Sequence, residues 1–437
     1  MIALIFLLAL ALRIYATITP AIWYDEAFTL HIATLPVAKI VAMRDFTPPL
    51  WEFILHPFVM LSPSVYTIRI VALVLSMLTL YLAWLITRAL KFTREQTLIS
   101  LFIIATLPGM IWMGTDGRVY ALLTCLYTLG IYAAVTDRRT LLFVASIGVM
   151  YLHATGLFLV IALYFYWFIA GDYFNLTELF VTGAGLFALW LPWWYPYLNL
   201  GPSGLFVPMS FTYFIGQWTM ANFIGAPQLA WLIGSILLIS TALQHSRRLH
   251  ATLVFLPLLL ILLASFLVTN LITYRTLSPT LVPFALLVAK HYNGKLLTRL
   301  NALAWILLLT FATGTYDFAA KGSQQAQAAQ MLLNDNRRIV YASLGTAMPF
   351  EYYLKGRVDY CVFQMDGWVY GEYGYGFNFP LCGPADLQGS YWFIFPVDPV
   401  IPSPARAQMD ALMSHGDLAL EYHPPQFAPI QLWRIEQ

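Results

Sequence analysis

Trp23-Tyr24-Asp25-Glu26, followed twenty residues after Asp25 by Asp45-Phe46-Thr47-Pro48-Pro49-Leu50, is an acidic, aromatic and proline-locked segment in a chain that otherwise carries little charge. Of the 437 residues only 10% are Asp, Glu, Lys or Arg, and 60% are hydrophobic. A soluble domain carries about 25% charged residues. So large an apolar excess cannot be hidden in one water-soluble core, which leaves a polytopic membrane protein. The segment begins just beyond the first apolar run, residues 2–19, where the first loop must leave a bilayer. Its carboxylates therefore belong at a membrane edge. Pro48 and Pro49 fix the backbone after Asp45, because each ring sets φ and disfavours helix in the residue before it.

Beyond this loop, apolar runs separated by short polar stretches fall at 64–87, 97–113, 118–136, 140–152, 155–170, 178–199, 228–243, 251–270, 277–290 and 300–316. With the first run they predict about 11 transmembrane helices. The first run has no basic start and is interrupted by Arg13, so it reads as a retained helix rather than a removable signal. Arg88, Lys91 and Arg94 share one loop; Arg138 with Arg139, Arg247 with Arg248, and Lys290, Lys295 and Arg299 occupy three more on the same side. The positive-inside rule makes that side cytoplasmic and places the 20–63 loop outside. Within that loop, 30–43 and 50–61 read as short interfacial helices.

After Tyr316 the composition turns polar. Helices at 321–330, 348–354 and 404–414 alternate with strands at 338–343, 358–364, 391–396, 418–422 and 430–435, an α/β pattern. The expected organisation is a membrane domain over 1–317, including the 20–63 loop, and an extracytoplasmic α/β domain over 318–437. The three Cys are too few for a disulfide scaffold. Cys125 lies in an apolar run, while Cys361 and Cys382 share the polar region, where a disulfide is left open. No strongly basic patch marks a nucleic-acid partner.

Four cations sit where the positive-inside rule does not want them. Arg13 and Arg69 lie inside apolar runs near their outer ends, Arg118 opens the fourth run, and Arg275 precedes the tenth. An Arg within a span costs roughly 2.5–3.5 kcal/mol on the insertion scale. Snorkelling accounts for any one of them. Four on one side point to pairing with Asp25, Glu26 and Asp45, or to an anionic head group, whose geometry Arg matches.

The set Arg13, Trp23-Tyr24-Asp25-Glu26-Ala27, Asp45-Phe46-Thr47-Pro48-Pro49-Leu50 and Arg69 resembles the GT-C superfamily, in particular glycosyltransferase family 39 and its bacterial relatives, the protein O-mannosyltransferases and lipid A aminoarabinose transferases among them. Asp116-Gly117-Arg118-Val119-Tyr120, Tyr151-Leu152-His153-Ala154-Thr155-Gly156 and Tyr274-Arg275-Thr276-Leu277-Ser278-Pro279 are similar to later motifs of that family. The resemblance covers about residues 5–290. It implies inverting transfer of a sugar from a polyprenyl-phosphate donor to a glycan, lipid or protein acceptor outside a bacterial plasma membrane. Asp25 would be the general base. Glu26 would orient Arg13 or Lys39, and Asp45 would orient the acceptor or hold a divalent ion. Arg69, Arg118 and Arg275 would meet the leaving phosphate, with Arg13, Tyr120 and His153 joining the substrate contacts. No His/Cys cluster marks a metal site, so a metal cofactor is left open. A lone His is more often a packed residue, and His153 enters through the resemblance alone.

Two other classes compete. A transporter or flippase of a lipid-linked glycan requires internal repeats and midplane polar groups; no repeat is evident, and the polar residues cluster at the outer rim. A non-catalytic envelope scaffold would tolerate loss of both Asp25 and Asp45.

Overall fold

The computed structural model describes residues 1–42, 48–170, 176–198, 214, 216–217, 252–267, 271–290, 323–342, 344–354, 359–365, 368–369, 380–396, 403–422 and 430–436. The chain divides into two compact units: Met1–Ile18 with Asp45–Phe318, and Thr19–Arg44 with Ala319–Gln437. Most of the first half of the 20–63 loop thus clusters with the C-terminal unit, whereas the sequence reading grouped the whole loop with the expected membrane helices. The expected runs at 228–243 and 300–316 lie outside the described residues.

In chain order, the described helices start with α1 (Ile2–Ile18), α2 (Tyr24–Thr34), α3 (Val37–Ala42), α4 (Leu50–Leu61), α5 (Val65–Ala89), α6 (Arg94–Thr106), α7 (Pro108–Thr115) and α8 (Tyr120–Val135). Then come α9 (Arg139–Met150), α10 (Gly156–Ala170), α11 (Leu176–Leu198), α12 (Thr252–Leu267), the single turn α13 (Tyr274–Leu277), a 3-10 turn at Ser278–Thr280, and α14 (Leu281–Lys290). Apart from α2 and α3, all belong to the first unit.

The boundaries follow from local chemistry. Pro49 is the N-cap of α4, and Ser64 caps α5 by accepting from the Tyr66 N–H at 3.2 Å. Thr93 and Gln96 close a capping box on α6. The 97–113 run, expected as one span, is broken: α6 and α7 meet at Leu107-Pro108 with a 56° bend. Pro108 has no N–H to offer the Ile104 carbonyl, and its ring crowds the preceding turn, which favours a break there. The expected 30–43 helix is likewise divided before Pro36, and its first half extends back to Tyr24. Among the described residues, α5 is long and apolar enough to cross a membrane alone, and the bent α6–α7 pair passes the same test together. At 25 residues, α5 is about 38 Å long.

One end of the helical unit gathers basic loops. Lys290 Nζ donates to the Leu90 carbonyl (3.2 Å) and lies 4.8 Å from the Phe92 ring centroid, while Gln96 Nε2 donates back to the Lys290 carbonyl (2.8 Å). A small apolar cavity at the same end is lined by Ile86, Leu90, Val135, Leu253 and Leu286. Arg69, near the start of α5, and Tyr120, at the start of α8, lie at the opposite ends of those helices.

The second unit contains α15 (Ser323–Leu333), β1 (Arg338–Tyr341), α16 (Leu344–Tyr353), β2 (Tyr360–Met365), β3 (Trp368–Val369), β4 (Leu381–Cys382), β5 (Tyr391–Pro396), α17 (Ser403–Met413), β6 (Gly416–Tyr422) and β7 (Ile430–Ile435). Its seven-stranded sheet runs β3-β2-β1-β5-β7-β6, with β4 against β2; β1 pairs in parallel with β2 and β5, and β7 runs antiparallel to β5 and β6. Successive strand residues face opposite sides. Ile339 and Tyr341 therefore pack with Leu332 and Phe350 from α15 and α16, while Val340 and Ala342 pack with Met409 and Met413 from α17. The α/β pattern read from sequence is realised nearly element for element.

Cys361 and Cys382 form a disulfide. It closes a loop of 21 residues, for which chain entropy gives a contribution of about 3 kcal/mol. Replacing both by Ser is expected to lower the denaturant midpoint of this unit accordingly. Reductant should reproduce that shift in the parent protein and leave the double variant unaffected.

Candidate functional site

The C-terminal half of α1 and the first turns of α5 carry the two arginines buried in apolar runs. Arg13 has no exposed surface. Its Nε donates to Ser76 Oγ (2.7 Å), Nη1 to the carbonyls of Ala9 (3.2 Å) and Ala105 (3.0 Å), and Nη2 to the carbonyl of Ile104 (3.2 Å). The last two acceptors have a clear origin. In an unbroken helix the Ile104 carbonyl would accept from residue 108, which is proline, and the bend there also takes away the ordinary partner of Ala105. Arg13 supplies the missing donors. Gly114 makes room for this contact: a Cβ there would stand 2.2 Å from Ser76 Oγ. Arg13, expected among the substrate contacts, is thus engaged in joining α1, α5 and the α6–α7 break.

Arg69 is 1% exposed, and its Nη1 donates to the Thr17 carbonyl (3.1 Å) in the last turn of α1. That carbonyl is one of the acceptors a helix end leaves open. Arg69 makes further interactions besides this one.

A second group forms around the α7–α8 connection. Trp51, on α4 just after the Pro48-Pro49 corner, is 1% exposed and donates from Nε1 to the Gly117 carbonyl (3.0 Å). The corner is thereby tied to the Asp116-Gly117-Arg118 turn. Asp116 is buried as the C-cap of α7. Across the turn, the Tyr120 and His153 rings lie 6.1 Å apart, and Arg118 precedes Tyr120 by two residues. Arg275 sits on α13, whose start is fixed by the Thr273–Thr276 capping box. The 3-10 turn that follows packs on α7 and α8. Arg118, Tyr120 and His153 are therefore brought together, and the element after Arg275 abuts the helices that carry them.

Asp25 and Glu26 belong to the other unit. They occupy the first turn of α2, where the positive end of the helix dipole favours carboxylates. Glu26 is fully buried, and Asp25 is 9% exposed. The Glu26 and Ala27 N–H groups donate to the Trp23 carbonyl (3.1 and 3.0 Å), which starts the helix earlier than the loop reading expected. From α16, which packs on α2, Tyr353 Oη donates to the Ile22 carbonyl (3.0 Å). Asp45 lies outside the described residues. Glu52, not singled out from sequence, is 6% exposed in the first turn of α4. Its only sequence signal was an acid in the first turn after the two prolines. Among the described residues no three His, Cys, Asp or Glu are grouped to hold a metal.

No protein family profile and no characterised protein sequence matches the chain. Solved structures do. ArnT from Cupriavidus metallidurans in the apo state matches with a TM-score of 0.57 and 11% identity, over 99% of this chain and 97% of that one. The same enzyme bound to undecaprenyl phosphate matches with a TM-score of 0.56 and 10% identity over the same shares. The chain shares the ArnT fold. The likeness extends over both units of the chain. An oligosaccharyltransferase from Archaeoglobus fulgidus, with a TM-score of 0.45 and 12% identity over 82% of this chain and 60% of that one, is too distant to support a fold argument. Identity to ArnT at this level carries the fold across and leaves the chemistry to the residues.

Proposed function

We propose that the chain is an inverting glycosyltransferase that moves a sugar from a polyprenyl-phosphate donor to an acceptor on the extracytoplasmic side of a bacterial plasma membrane. The observation that carries the reading is the end-to-end likeness to ArnT, a lipid A aminoarabinose transferase crystallised with undecaprenyl phosphate. The roles that the resemblance implies for the residues fit it. Asp25, in the first turn of α2, takes the acceptor proton as the nucleophilic oxygen attacks the anomeric carbon. The donor's carbon–oxygen bond breaks, and the electron pair leaves on the phosphate. That leaving group needs no general acid, because its charge is spread over phosphate oxygens; it needs cations and donors, worth several kcal/mol in a water-poor site. Arg69 and Arg118 fill this role, and Arg275 is the third candidate. Arg13 is assigned to the scaffold instead. Asp45 orients the acceptor. The Cys361–Cys382 disulfide fits an oxidising compartment for the second unit, in keeping with an extracytoplasmic placement.

The test is purified protein in lipid with a labelled polyprenyl-phosphate sugar and an envelope extract as acceptor source. Label is expected to pass from lipid to acceptor as free polyprenyl phosphate accumulates. Movement of intact lipid-linked sugar across the bilayer, without cleavage, would favour the transporter.

A further inference from the structure

The turn between α9 and α10 holds an imidazole in one protonation pattern. The Thr155 N–H donates to Nδ1 of His153 (3.2 Å), and the Thr155 hydroxyl lies 2.9 Å from the same nitrogen. A ring nitrogen that accepts from a backbone N–H carries no proton, so the ring is neutral and its hydrogen resides on Nε2. The turn is rigidly built. Thr155 is fully buried, the Gly156 N–H donates to the His153 carbonyl (2.9 Å), and a Cβ on Gly156 would stand 2.4 Å from the Val149 carbonyl oxygen. Backbone cannot yield there as a flexible side-chain end could. Among the described residues, none takes the Nε2 hydrogen. The Tyr120 ring stands 6.1 Å from this partly buried ring between centroids, and Arg118 lies two residues before Tyr120 in the same connection.

We propose that His153 is a fixed, neutral Nε2–H donor which, together with Arg118, binds an anionic phosphate oxygen of the lipid carrier. The proposal rests on the glycosyltransferase reading and deepens it. Arg118 supplies the charge. His153 supplies direction without a second charge, because the Thr155 N–H occupies the nitrogen that protonation would need. A donor whose protonation is set by the backbone works equally before and after the sugar leaves.

Binding of undecaprenyl phosphate, a carrier without sugar, to the full-length protein in lipid nanodiscs tests this. The amide nitrogen of Gln can stand near Nε2, whereas that of Asn reaches only the Nδ1 position. His153→Gln is therefore expected to bind within a few-fold of the parent, and His153→Asn to bind roughly 10- to 100-fold more weakly, the range for a hydrogen bond to a charged group. Thermal unfolding of each variant checks the fold. Should both variants unfold, a 15N-histidine spectrum of the parent at pH 7 decides: a neutral Nε2–H ring whose Nε2 signal moves on adding the lipid supports the proposal. An Nδ1–H or doubly protonated ring, or no movement on saturation, overturns it. Unchanged binding by folded His153→Asn also overturns it, and if sugar transfer is nonetheless lost, the donor faces the sugar instead. If the parent protein itself fails to bind the lipid, the glycosyltransferase reading falls along with the subsite.

Discussion

Asp25→Asn is expected to lower sugar transfer by about 10²- to 10⁴-fold, the usual worth of a positioned general base, while leaving the protein folded. Asn keeps the size of the side chain and accepts a hydrogen bond on one atom, but it cannot take a proton. The loss should appear in the chemical step, so the carrier lipid should bind as before. Glu26→Gln makes the control. Glu26 is fully buried in the same turn of α2, and its replacement should act mainly on stability. Rates under saturating donor, with the thermal midpoint of each variant, separate the two effects. Equal losses from both replacements, tracking a fall in midpoint, would mean that this turn is scaffold.

Arg13→Met is expected to destabilise the helical unit by about 3 kcal/mol, reflecting three bonds to groups on other helices at about 1 kcal/mol each. Those acceptors are Ser76 Oγ and the carbonyls of Ile104 and Ala105. The cost of placing Arg in a membrane does not offset this, because a separated α1 helix carries the same residue and lets it snorkel. Arg13→Lys should recover only part of the loss, since one ammonium group cannot span three acceptors on two elements. Denaturation in mild detergent, with SDS as denaturant, measures the effect. A substrate-binding Arg13 would behave differently: stability would stay, and the donor KM would rise.

The contrast between Arg13 and Arg69 marks where sequence reading stops. Both stand as lone cations in apolar runs, and the cost of that placement is legible from residue type alone. What each cation touches is not. The acceptors of Arg13 exist because Pro108 breaks a helix some ninety residues away, and Leu107-Pro108 sits inside a run whose hydropathy is uninterrupted. β5 was legible to the residue as a continuous aromatic and aliphatic run, the pattern of a strand covered on both faces, and β7 as a strand with apolar residues at 430, 432 and 435. The grouping of 19–44 with the C-terminal unit was out of reach: it depends on contacts such as Tyr353 to Ile22, 331 residues apart. His153 was legible as a residue of interest through its motif, while its tautomer required the Thr155 backbone to be in place.

The most direct check of the central claim follows a single turnover by the purified protein with a donor of known anomeric configuration. The account predicts that one polyprenyl phosphate is freed for each sugar transferred, that the product is inverted at the anomeric carbon, and that folded Asp25→Asn protein yields almost none. Retained configuration, or undiminished release by that variant, would contradict it.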